Sequence, residues 1–236
     1  MSTARAALAE FTGSFALMFI GGGAILVTSG ENLVVIAFAH GLILAVMISA
    51  TMHISGGQIN PAVSVALGVI GKQPWPRVGA FVVSQFAGAI AAAFLLKVLL
   101  SDVYEVGNLG ATLGSLTTHG SEHLGPGRAV GLEAIATFFL MFVIMGTAVD
   151  QRSGVKAIAG LAIGLTVTAA ILCLGPLTGA SLNPARSFGP ALVAGTWDSH
   201  WVYWVGPLGG AALAALVYSI SFGTRSPGQA ATPAPS

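Results

Sequence analysis

"SGGQINPAVS", residues 55–64, returns in altered form as "TGASLNPARS", residues 178–187. The two Asn-Pro-Ala tripeptides, Asn60-Pro61-Ala62 and Asn183-Pro184-Ala185, stand 123 positions apart (183 minus 60). Asparagine is a good helix N-cap, and proline fits the first helical turn, where its missing N–H is not needed. Each tripeptide therefore predicts the start of a helix. The apolar pieces that follow, about 60–70 and 183–193, are too short to cross a bilayer, which takes about 20 residues.

Around these two pieces the chain is strongly apolar. Of 236 residues, 55% are hydrophobic and 7% charged, against about a quarter charged in an average soluble domain. Mean hydropathy is +0.86. So few charges cannot clothe a water-soluble surface, so lipid is the predicted surrounding solvent. A net charge of +1 argues against nucleic acid as a partner. The single cysteine, Cys173, rules out an intramolecular disulfide and is expected to be a small buried apolar residue.

Six stretches have the length of membrane spans: 7–28, 33–52, 78–100, 129–149, 157–175 and 201–222. The first does not resemble a cleaved signal, since Glu10 lies inside it and the apolar run is long. The Pro/Ala/Ser-rich end, 223–236, is expected to be a disordered tail. With both termini in the cytoplasm, the inside segments hold Arg5, Lys72, Arg77, Arg152, Lys156 and Arg225, leaving three basic residues elsewhere. The positive-inside rule selects that orientation.

The repeat is wider than the tripeptides. "AEFTGSFALMF" (9–19) lies over "LEAIATFFLMF" (132–142), and "AHGL" (39–42) over "AIGL" (162–165), at the same shift. Three spans separate equivalent points, and an odd number of crossings reverses direction. The expectation is a single domain over residues 1–222, with halves at about 7–100 and 129–222 as inverted copies. The fold class is all-α: six transmembrane helices plus two re-entrant half-helices. The half-helices then enter from opposite sides, and their positive N-terminal ends meet near the midplane. Irregular backbone at that depth is tolerated only where it lines a water-filled path or is buried in protein.

These twin tripeptides in inverted repeats, the second within "NPARSFGP" (183–190), resemble the aquaporins, the major intrinsic protein family, from about Leu8 to Phe222. The resemblance implies a homotetramer with one pore per subunit. It also implies that an arginine and the half-helix dipoles exclude protons and cations. The family's filter positions, counted back from the motifs, fall on His40, Ile171, Ala180 and Arg186. This quartet departs from the water-only pattern, which has Phe and His at the two helix positions. It departs too from the glycerol-facilitator pattern, which has Trp and Gly there and an Asp where Ser187 stands. It is similar to the plant tonoplast intrinsic proteins, as is "SHWVYWVGPLGG" (199–210). That likeness implies passage of water and also of ammonia, urea or hydrogen peroxide, and Ile171 and Ala180 in place of aromatics predict a wider, partly apolar filter. Thr118-His119 matches a loop dipeptide of ammonia-permeable relatives, which makes His119 a fifth filter candidate. His53 resembles a family histidine lining the cytoplasmic half of the pore.

Glu10 and Glu133 are repeat mates inside spans. They are expected to accept hydrogen bonds from the half-helix loop of their own half; in an ion-coupled transporter they would instead carry protons. "GGG" (21–23) follows no strand and has no P-loop lysine, so it is assigned to helix packing, as are "GAIAAAF" (88–94) and "GGAALAAL" (209–216). No HExxH, nucleophile motif or Cys cluster points to an enzyme, a metal or a cofactor. The expected function is a passive channel for water, ammonia and other small neutral solutes, excluding protons and ions. The alternatives are a glycerol-type facilitator and an ion-coupled secondary transporter. Short termini and simple loops favour the cell (plasma) membrane, with the termini cytoplasmic.

Overall fold

The computed structural model describes residues 2–100, 108–112 and 124–223. Eight α-helices follow one another within them: α1 Thr3–Val27, α2 Leu33–Thr51, α3 Pro61–Val69, α4 Trp75–Leu99, α5 Pro126–Ile144, α6 Ala159–Thr178, α7 Pro184–Ala194 and α8 Val202–Ser221. Six are long and apolar enough to span a bilayer, α5 together with a wider π-type turn at Met145–Val149 and α6 together with the short turn before it. The two short ones, α3 and α7, are the pieces that follow the Asn-Pro pairs. Each observed span lies within a few residues of its expected bounds. The first starts a turn earlier because Ser2 caps it. The fifth reaches Thr178 despite Pro176, and Gly179 ends it at φ +83°, a left-handed conformation that glycine adopts freely.

The inverted repeat is visible in the packing. Helix α1 lies along α4 as α5 lies along α8, and α2 meets its mate α6 across the centre. Small residues permit these approaches, as the "GAIAAAF" and "GGAALAAL" runs suggest. A Cβ on Gly88 would strike the Phe11 carbonyl, one on Gly210 the Ala134 carbonyl, and one on Gly164 the Gly41 carbonyl. Close crossing of this kind is how helices associate where lipid removes the hydrophobic drive. Gly21 makes room for the His40 ring in the same way. Each half-helix packs chiefly on the last helix of the opposite half, α3 on α8 and α7 on α4, so neither half closes without the other.

The outward faces carry large apolar side chains such as Val83, Phe94, Leu213 and Ile220, all exposed, as lipid-facing surface requires. Cys173 is also exposed, in an apolar groove between α5 and α6 with Leu132 and Phe139. This corrects the expectation of a buried cysteine: its helical position turns it away from the α2 contact and towards lipid. Past the π-type turn, buried Asp150 accepts bonds from Arg152 and from Tyr218 Oη (3.1 Å), and Arg152 also donates to the Phe222 carbonyl. This clasp ties the end of α5 to the end of α8. The Arg152 bonds hold the Asp150 carboxyl well below the usual carboxylate range.

In the turn between α7 and α8, His200 is buried among Phe188, Trp197, Tyr203 and Trp204. Neither ring nitrogen has a partner among the described residues. Burial pulls its pKa below the ordinary 6.5, so the folded state favours the neutral ring. The unfolded chain binds the proton more readily, and stability is lost as pH falls from about 6.5 towards the lowered folded value. The expected result is a thermal midpoint in detergent that drops between about pH 7.5 and about pH 5.5, with a smaller drop in His200→Phe. Equal drops in the two proteins would show that another group governs acid sensitivity.

Candidate functional site

The site begins with two buried carboxyl groups. Glu10 Oε1 accepts from Ser55 Oγ (2.6 Å) and Gln58 N (2.9 Å), and Oε2 from Ile59 N (2.6 Å) and Gln85 Nε2 (2.7 Å). Glu133 Oε1 accepts from Thr178 Oγ1 (2.7 Å) and Ser181 N (2.9 Å), and Oε2 from Leu182 N (2.8 Å). Each carboxyl group thus gathers the N–H groups of the loop that leads into the half-helix of its own half. Those loops need the help, because Ile59 and Leu182 both sit at φ +54°, where a β-branched or bulky residue is strained. A buried N–H without an acceptor costs about 1–3 kcal/mol.

The loops deliver the two asparagines to one point. Asn60 Oδ1 accepts from Ala62 N (2.9 Å), and Asn183 Oδ1 from Ala185 N (3.0 Å) and Arg186 N (3.3 Å). The amide nitrogens reach across the repeat: Asn60 Nδ2 donates to the Leu182 carbonyl and Asn183 Nδ2 to the Ile59 carbonyl, both at 2.8 Å. An amide nitrogen carries two hydrogens. One from each asparagine joins the two half-helices, and the other is left over. Pro61 and Pro184 stand at the first helical positions, buried with Ala62 and Ala185.

Both asparagines line a narrow lumen whose wall also includes His40, Ile171, Ala180 and Arg186. The four residues expected at the filter come from three separate stretches and line this one cavity. Its remaining wall is largely aliphatic, with Leu44, Ile48, Val63 and Val167. The lumen continues into a vestibule at the end away from Arg186, sharing Ile48, Gln58, Val63, Ile144 and Ile163 with it.

Arg186 is buried. It donates through Nη1 to the Gly110 carbonyl (3.0 Å) and through Nη2 to His40 Nε2 (3.1 Å). The other ring nitrogen of His40, Nδ1, is 2.8 Å from the Ile36 carbonyl. A carbonyl only accepts and a guanidinium only donates. Nδ1 therefore carries the hydrogen and Nε2 the lone pair, so His40 presents a fixed neutral ring. Arg186 Nε has no partner among the described residues.

Not every expected residue reaches the lumen. His53 is exposed and lines a separate pocket beside Lys156. Helix α2 stops at Thr51, and the turn after it directs the ring away from the path. Gln58 lines the lumen and vestibule instead. It lies two residues before Asn60, as Ser181, another lumen residue, lies two before Asn183. That matched offset was available in the sequence. Two further contributors were not. Gly110 supplies a carbonyl to Arg186, and Thr112 Oγ1 donates to Ser187 Oγ (2.6 Å); both come from a segment remote from either motif. His119 lies outside the described residues.

The family model described as Major intrinsic protein matches residues 1–218 of this chain. The chain is 44% identical over 225 residues to "Aquaporin TIP4-4" of Zea mays, covering 91% of this chain and 85% of that one. To "Probable aquaporin TIP3-2" of Arabidopsis thaliana it is 43% identical over 229 residues, covering 91% and 82%. Among solved structures, that of the aquaglyceroporin from Plasmodium falciparum matches with a TM-score of 0.79 at 24% identity, over 92% of this chain and 96% of that one. At that identity the likeness is one of fold.

Proposed function

Since this chain belongs to the major intrinsic protein family, we propose that its lumen passes ammonia, urea and hydrogen peroxide besides water, with His40, Ile171, Ala180 and Arg186 as the filter. The family and its aquaporin relatives make the protein a passive channel for water and small solutes, embedded in a membrane and not an enzyme. The solute range and the filter assignment are our reading. The observation that carries it is the lumen wall: Arg186 and His40 form its polar side, with aliphatic Ile171 and the small Ala180 in the same cavity. A mouth with one cation, a neutral imidazole whose lone pair that cation already holds, and no Phe, Tyr or Trp among the described residues favours small solutes that are uncharged and weakly polar. Ammonia fits, because its lone pair can accept from the guanidinium. Ammonium meets a like charge.

The two asparagine amides supply the second station. Their spare N–H groups offer a passing molecule replacements for hydrogen bonds left behind in water, so desolvation is offset. The positive ends of α3 and α7 face the same point and raise the barrier to cations. Homotetrameric assembly and cytoplasmic termini complete the proposal. The expected plasma-membrane location finds no support in the relatives, whose TIP-type names speak for the tonoplast.

The test is stopped-flow entry of ammonia into proteoliposomes loaded with a pH-sensitive dye, with water permeability measured on the same vesicles. Alkalinisation faster than in protein-free liposomes is the expected result. Fast water with no added ammonia entry would reject the ammonia reading and leave a water-selective pore.

A further inference from the structure

Gln58 has a structured partner set that the inverted repeat duplicates only in part. Its repeat mate is Ser181, whose hydroxyl bonds locally to Ser187 and the Asn183 carbonyl. Gln58 instead sits in a chain of buried amides. Gln85 Nε2 donates to Glu10 Oε2 (2.7 Å) and to Ser64 Oγ (3.0 Å). Ser64 Oγ donates to Gln58 Oε1 (2.6 Å), and Gln58 Nε2 donates to Gln73 Oε1 (2.6 Å). Ser64 and Ser187 are repeat mates, so the Gln58–Ser64 bond has a counterpart in Ser181–Ser187. The repeat mates of Gln73 and Gln85 are Thr196 and Leu208, so the amide links on either side of that bond belong to one half only.

The direction of this chain follows from its anchor. Amide oxygen and nitrogen are told apart by their partners. The atom of Gln85 that faces the Glu10 carboxyl group and Ser64 is the nitrogen, because it serves two acceptors. This orientation leaves Gln85 Oε1 without a partner among the described residues. One lone pair of Ser64 Oγ accepts from Gln85, and its hydrogen goes to Gln58 Oε1. Gln58 must then turn its nitrogen towards Gln73. One hydrogen of that nitrogen is used there and one remains. Gln58 lines both the lumen and the vestibule, and a Cβ on Gly56, also in the vestibule wall, would lie 3.7 Å from Gln58 Nε2. Gln73 is in neither wall.

We propose that Gln58 is a specificity-determining residue of the pore, a third oriented amide donor beyond the Asn60–Asn183 pair, and that Gln73 is its positioning residue. The inference rests on the reading of the lumen as the solute path. A molecule leaving the asparagines for the vestibule meets another N–H donor and no free side-chain acceptor at this point, since Gln58 Oε1 already accepts from Ser64 Oγ (2.6 Å) and, at 3.5 Å, from Gln73 Nε2. Waters keep the orientation in which their oxygens face the donors, and neutral solutes with a lone pair keep a partner over a longer stretch of the path.

The test is water permeability per reconstituted channel for wild type, Gln58→Met, Gln73→Met, the double variant and Gln73→Glu. Gln58→Met and Gln73→Met are each expected to lower it about five-fold, the factor of one hydrogen bond of ordinary net strength. The double variant is expected to be no lower than either single one, because Gln73 acts through Gln58. Gln73→Glu keeps the short bond's acceptor for Gln58 Nε2 and gives up only the longer 3.5 Å contact from Gln73 Nε2 to Gln58 Oε1, so it is expected to conduct within about two-fold of wild type, well inside that one-bond factor. A purely structural role for Gln73 would change folded yield and leave permeability per channel unchanged. Wild-type permeability in both methionine variants would overturn the proposal alone. Wild type no faster than protein-free liposomes would overturn the pore reading and this inference with it.

Discussion

Arg186→Leu is expected to produce a channel that still passes water and leaks cations. In the native mouth the guanidinium is buried and held on two sides, by the Gly110 carbonyl and His40 Nε2. A cation passing at about 5 Å from that charge meets roughly 3 kcal/mol of repulsion at an effective dielectric constant near 20. Each 1.36 kcal/mol is a factor of ten in rate. Removing the charge is therefore expected to raise ammonium or proton leak about a hundred-fold. Water carries no charge, and its permeability is expected to stay within a few-fold. Arg186→Lys separates charge from shape. It retains the positive charge but lacks the planar fork that reaches Gly110 and His40 together, so it is expected to keep most of the cation barrier with a looser mouth. Dye-loaded vesicles under an imposed potential give the leak directly. A leak unchanged in Arg186→Leu would move the barrier to the asparagine pair and its helix ends.

Glu133→Leu is expected to abolish the folded channel rather than tune it. The substitution leaves Thr178 Oγ1, Ser181 N and Leu182 N facing a side chain that accepts nothing. Three orphaned buried donors at about 1–3 kcal/mol each amount to roughly 3–9 kcal/mol. Whole domains are stable by only about 5–15 kcal/mol. The damage also spreads across the repeat, because Leu182 lends its carbonyl to Asn60. Glu133→Gln keeps one acceptor oxygen and turns an NH2 towards one of the donors, so an intermediate loss is expected. Size-exclusion profiles and thermal midpoints in detergent measure both. A monodisperse Glu133→Leu protein with a native midpoint would show that the re-entrant loop is held by packing alone.

The same carboxyl groups show what a single sequence can reveal. A shift of 123 residues aligned Glu10 with Glu133 and Asn60 with Asn183, and symmetry then gave each pair one job. The bonds tie each Glu to the loop of its own half, Glu10 to residues 55–59 and Glu133 to 178–182. Arg186 was legible because it shares a helix with Asn183; His40, Ile171 and Ala180 came from the family resemblance, by counting from the motifs. Contacts set by tertiary closure were not legible. Nothing local to "NLGAT" (108–112) announces that the Gly110 carbonyl will meet Arg186. His53 was expected in the pore from its resemblance to a family histidine, but it lies exposed in the turn after α2, in a separate pocket. Gln58, two residues from the motif, lines the lumen instead. Cys173 was misjudged by burial habits of soluble proteins, which fail where the outer surface faces lipid.

A passive pore that selects against charge passes water and holds back protons. Paired measurement of water and proton flux on one batch of wild-type proteoliposomes, osmotic shrinkage beside dye-reported pH under an imposed potential, tests both halves of that at once. Water permeability well above that of protein-free liposomes, linear in the osmotic gradient, with proton flux at the liposome background is the predicted result. Flux that saturates with solute, or protons that move with the solute under the imposed potential, would contradict it and turn Glu10 and Glu133 from loop anchors into candidate carriers.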